Sequence, residues 1–136
     1  MRPEGWESRL DAAIEGARTE PFSWGTHDCC MFALNIACEI LLTDPAPQFR
    51  GTYTTEFGAA RALKEHGDGT VRGTVTQILD EEIPVRTAQR GDLVLLQQPD
   101  LGDTLGVCLG VDSAFVGLDG LHYAPTLDCA CAWRIE

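Results

Sequence analysis

A chain of 136 residues, 44% hydrophobic and 23% charged, has the size and balance of one globular domain, and no repeat points to a solenoid. Its 21 acids against 10 bases leave a formal charge of −11, so neither nucleic acid nor an anionic membrane surface is expected as a partner. Residues 91–136 carry seven acids and one base, Arg134, so the acidity is not confined to a tail. No apolar run approaches the roughly eighteen residues that cross a bilayer, and the opening MRPEGWESRL lacks a signal-peptide core. The chain is therefore expected to remain where it is made. There its six cysteines (Cys29, Cys30, Cys38, Cys108, Cys129 and Cys131) should be reduced thiols.

Trp6, Leu10, Ile14 and Ala17 recur at helical spacing between Pro3 and Arg18 and predict a first amphipathic helix. The loop EPFSWGTHD follows, with Asp28 as N-cap of a second helix over Cys29–Leu42, apolar on most sides through Phe32, Ala33, Ile36, Ala37 and Ile40. TDPAPQFRGTYT reads as a loop, and Thr54 or Thr55 caps a third helix ending at His66 and Gly67. A fourth helix is predicted over Val71–Asp80. After Pro84 the pattern becomes short strands over Asp92–Leu96, Leu105–Leu109, Ala114–Leu118 and Cys129–Ile135. Helices first and an antiparallel meander afterwards predict one α+β domain over residues 1–136.

Cys29 is the residue with most chemical content. A cysteine in the first helical turn is favoured as thiolate by free backbone N–H groups and the helix dipole, although a cysteine in an apolar helix also serves as a small hydrophobe. A metal centre built from Cys29, Cys30, Cys108, His122, Cys129 and Cys131 is not expected, because the cysteine spacings do not suit structural zinc or an iron–sulfur cluster. Alternation predicts Cys129 and Cys131 on one strand face as core side chains. Gly106 and Gly110 suggest close backbone approach within a strand, and Trp133 should close the core. Phe22 and Trp24 either wall a groove beside Cys29 or staple the second helix to the core.

The order of a Trp-Gly turn, Asp28-Cys29-Cys30 opening an apolar helix, Gly91-Asp92-Leu93-Val94, and Thr104-Leu105-Gly106-Val107-Cys108-Leu109-Gly110 resembles the NlpC-type, papain-like cysteine peptidases. The resemblance implies helices packed on an antiparallel sheet or partial barrel, with Cys29 at the nucleophile position. It also puts Thr104 where the family carries its catalytic histidine, and threonine cannot accept a thiol proton near neutral pH. No polar side chain stands at Phe115–Leu118, where the orienting residue would lie. His27 sits in the entry loop and His66 at a helix end, leaving His122 as the one substitute base.

The segments FSWGTHDC, FRGTYTT, RGDLVLL and AWRIE resemble a divergent phage-encoded branch of this fold found among tail genes. The role implied is a non-catalytic tail-tip or baseplate component, made in the host cytoplasm and contacting hub and baseplate proteins in the virion tail, with Cys29 a relic. The alternative is an active peptidase or amidase on peptidoglycan peptides, using Cys29 with His122 as base. Neither reading calls for a cofactor or a metal.

Overall fold

The computed structural model describes residues 1–99 and 102–136. Four helices, α1 (Trp6–Ala17), α2 (Met31–Leu41), α3 (Glu56–His66) and α4 (Val71–Leu79), precede five strands. These are β1 (Leu93–Gln98), β2 (Gly102–Cys108), β3 (Asp112–Gly117), β4 (Gly120–Pro125) and β5 (Cys131–Trp133). All pairs in the sheet are antiparallel, in the order β4-β3-β2-β1-β5. The domain is α+β, as the order of patterns predicts.

Side-chain parity along the strands creates two cores. Leu93, Leu95, Leu105, Val107, Ala114, Val116 and Trp133 face the helices and meet Leu10, Phe32, Ile36 and Ile40 in the main core. Val94, Cys108, Phe115 and Ala132 point the other way and are covered by Ile83, Val85 and Ala88. Helix α2 is the hub, with seven of its eleven residues buried. Its polar face is reduced to Asn35 and Glu39, and the broad apolar remainder packs between α1 and the sheet. Trp133 does close the main core, fully buried with its indole N–H donating to Thr76 Oγ1 at 3.2 Å.

The two ends of the chain meet on Asp92. Its fully buried carboxylate accepts from Arg2 Nη2 at 2.9 Å, Ile135 N at 3.0 Å and Gln89 N at 2.9 Å. The Arg2 guanidinium also lies over the Trp6 ring, 4.2 Å from its centroid. A buried charge must be compensated in this way to be tolerated.

The boundaries depart from the sequence reading most at the C-terminal end of the sheet. Gly120–Pro125 forms β4, an edge strand absent from the four predicted. Gly117 and Gly120 pair across a two-residue Leu118-Asp119 turn, so the chain reverses where the third strand was expected to run on. The last strand is only Cys131–Trp133, because a 3-10 turn over Thr126–Asp128 precedes it. Cys129 therefore lies outside the strand, and the expected shared face is wrong: Cys131 enters the main core and Cys129 the second. Gly106 does permit a close approach, since a Cβ there would meet the Phe115 ring at 2.3 Å, whereas Gly110 lies beyond β2 in the connection to β3.

Candidate functional site

The site begins with a tight loop. Ser23 and His27 pair through two backbone hydrogen bonds, His27 N to Ser23 O at 2.8 Å and Ser23 N to His27 O at 2.9 Å, closing the turn Trp24-Gly25-Thr26. Gly25 has φ +87°, and a Cβ there would lie 2.0 Å from the Tyr53 carbonyl oxygen, so only glycine fits. The loop delivers Asp28 to the start of α2. Asp28 Oδ1 accepts from Cys30 N at 2.9 Å and Met31 N at 2.8 Å, while Oδ2 accepts from Gly25 N at 2.8 Å and from the Tyr53 hydroxyl at 2.6 Å. Asp28 thus accepts from N–H groups at the helix start, but the N-cap position falls on Cys30 and not on Asp28 as predicted, with Cys29 and Cys30 in the turn before the first helical residue, Met31.

Both cysteines are half-buried thiols. The Cys29 carbonyl accepts from Leu105 N at 3.0 Å, which ties the helix start to β2 at the residue after Thr104. A hydrogen bond from the Cys30 thiol holds the Cys29 thiol below its ordinary range, against the opposing pull of burial, Asp28 and Glu56. The same bond, with burial, pushes Cys30 well above it. Cys30 also lines an apolar cavity of about 50 Å³ between α2, α3 and α4, with Met31, Leu34, Phe49, Tyr53 and Leu105 among its walls. Tyr53 is pushed above its usual value, first by burial and then by the Asp28 charge its hydroxyl bonds to.

Thr104 is fully buried, and among the described residues its hydroxyl has no hydrogen-bond partner. The three imidazoles lie elsewhere. His27 is buried, with Nδ1 3.3 Å from Glu20 Oε2 and its ring edge-on to Phe32. It borders the groove between α1 and α2, whereas Cys30 borders the cavity on the α3 and α4 side. His66 ends α3 and stands edge-on to Phe49. His122 is opposite Phe115 in the β3–β4 register and stacks on that ring at 5.9 Å. It therefore projects from the face that Phe115 shares with Cys108, not the face that carries α2 and Cys30.

The structure thus bonds the Cys29 carbonyl to Leu105, the residue after Thr104, while strand parity puts the Thr104 side chain on the Phe115 and Cys108 face together with His122, opposite the face that carries α2. Phe22 packs on the main core, and Trp24 stands edge-on against it at 4.9 Å. Among the described residues, no three His, Cys, Asp or Glu side chains are grouped as metal ligands. Two contributors escape the sequence reading. Cys30 stands beside Cys29 in the chain, and that adjacency was the available signal. Nothing in FRGTYTT signals that the Tyr53 hydroxyl reaches Asp28.

Residues 1–135 match a family described as a domain of unknown function, DUF6950. The chain belongs to that family. Nearly the whole chain falls within it, so the loop, the two cysteines and the sheet are all parts of the family's domain. No curated protein matches the sequence. Among the described residues no helix is long and apolar enough to cross a membrane.

Proposed function

We propose that this protein is a non-catalytic structural component of a bacteriophage tail, in the tip or baseplate region, built on a degenerate NlpC-like, papain-like fold and contacting other tail proteins. One observation carries the non-catalytic reading: the strand position where the resemblance calls for a histidine, next in the chain to the Leu105 that bonds the Cys29 carbonyl, holds the buried Thr104, which cannot accept a thiol proton. A general base must come within hydrogen-bond reach of the thiol it deprotonates, and no hydrogen bond joins His27, His66 or His122 to Cys29. The tail assignment rests on the four segments that resemble tail-gene products. Those segments meet in two polar clusters, Asp28 with Tyr53 and Asp92 with Ile135, which is consistent with their serving one scaffold.

The hydrolase alternative draws on one observation, the lowered Cys29 thiol. That lowering comes from a neighbouring thiol rather than an imidazole, so it supplies a nucleophile without a proton acceptor for turnover. Two measurements test the proposal. Mass spectrometry of purified virions and assembly intermediates should contain the chain, and its absence from both would remove the tail assignment. Incubation with peptidoglycan peptides should yield no cleavage, and cleavage abolished by Cys29→Ala would establish the hydrolase instead.

A further inference from the structure

The peptide bond between Cys29 and Cys30 is the one that joins α2 to the sheet. Its carbonyl accepts from Leu105 N at 3.0 Å, and its N–H donates to Asp28 Oδ1 at 2.9 Å. On either side of this peptide, on adjacent residues, stand two half-buried thiols, one of them at the wall of an apolar cavity. Thiol–disulfide exchange needs an attacking thiolate and a second thiol within reach, and it needs no histidine. The remaining cysteines are arranged differently. Cys108, Cys129 and Cys131 are buried, and Cys38 stands apart on α2.

We propose that Cys29 and Cys30 form a dithiol site that takes low-molecular-weight disulfides as its substrate class. Cys29 Sγ attacks one sulfur of the external disulfide, forming a mixed disulfide and releasing the first half as a thiolate. Cys30 then gives its proton to solvent or to that thiolate and attacks the Cys29 sulfur. A Cys29–Cys30 disulfide forms and the second half leaves as a thiolate. The external disulfide is reduced by two electrons and the protein dithiol is oxidised by two.

Closing a ring across adjacent residues requires their shared peptide to rotate. Here that rotation removes the peptide from Leu105 N, from Asp28, or from both. Oxidation is therefore coupled to loosening of the α2–β2 junction, and the oxidised pair is readily reduced because reduction restores those bonds. This inference is independent of the tail assignment.

The test uses the whole chain with glutathione disulfide as the probe, acid quenching, and peptide mapping by mass. The wild-type protein should lose two hydrogens on the peptide containing Cys29 and Cys30, retain no glutathione there, and show a lower melting temperature than the reduced protein. Cys30→Ser should stop at one glutathione on Cys29, and Cys29→Ser should react at least about tenfold more slowly at this peptide, by loss of the favoured thiolate. Cys38, whose thiol is raised by burial and Asp44, is the internal reference. The proposal is overturned if wild-type Cys29 keeps its glutathione, or if it reacts no faster than Cys38. Both outcomes are read on the wild-type protein and do not depend on a variant folding.

Discussion

Asp28→Ala removes the acceptor on which the whole loop is organised. The carboxylate is 1% exposed and receives three backbone N–H groups and one phenol. Loss of a side-chain acceptor at a helix start costs about 1 kcal/mol. Leaving the half-buried Tyr53 hydroxyl and the buried Gly25 N–H without an acceptor adds roughly 1 kcal/mol or more for each. The expected total is about 3–4 kcal/mol, a large share of the roughly 5–15 kcal/mol that holds a domain folded. Urea unfolding should show the midpoint moving down with the m-value unchanged, as for a pure stability change. Tyr53→Phe deletes one of the four bonds and should cost about 1–2 kcal/mol. In the double variant the two costs should fail to add by about 1 kcal/mol or more, because both act on one hydrogen bond. Additive costs, or an Asp28→Ala cost below about 1 kcal/mol, would refute the view that Asp28 is the keystone of this loop.

Three further outcomes follow from particular side chains. Burial pushes the Cys131 thiol up to about 12 and Cys129 to about 11, above the ordinary value near 9. Between those values the unfolded chain has lost protons that the folded chain keeps, so their contribution is complete below about pH 9 and falls as pH rises. Urea midpoints measured in reductant from pH 8 to about 10.5 should decline, and Cys129→Ala should flatten that decline; an unchanged slope would contradict the assignment. Thr104→Val removes a buried hydroxyl with no partner among the described residues and should be neutral or stabilising by about 1 kcal/mol, whereas a loss above about 1 kcal/mol would reveal a bond at that hydroxyl. Gly25→Ala should destabilise by about 2 kcal/mol or more, from positive φ and overlap with the Tyr53 carbonyl, while Gly16→Ala, in open space on α1, should stabilise by up to about 1 kcal/mol; equal melting temperatures would oppose both assignments.

Local chemistry was legible in the chain wherever a few neighbouring residues settled it. The period of Trp6, Leu10, Ile14 and Ala17 gave α1, and the apolar surround of Phe32–Ile40 gave a buried α2. Asp28 announced itself as an acceptor at the helix start because a short carboxylate before an apolar helix meets free N–H groups whatever lies around it. Strand β4 was not legible. An edge strand buries its side chains only partly, so Gly120–Pro125 shows no clean alternation, and its existence depends on the reversal at Leu118-Asp119. The common face expected for Cys129 and Cys131 failed for a related reason, since alternation holds only inside a strand.

The sequence by itself determined an acidic α+β domain and a helix with an aspartate and two cysteines at its mouth. These follow from composition, period and short-range hydrogen bonding. Only the tertiary structure decided that Leu105 bonds the Cys29 carbonyl, that Thr104 and His122 project from the face opposite α2, and that the Cys29–Cys30 peptide bridges helix and sheet. Each of those depends on strand register and parity, which are fixed when the sheet packs on α2, because a shift of one residue would exchange the buried and outward faces.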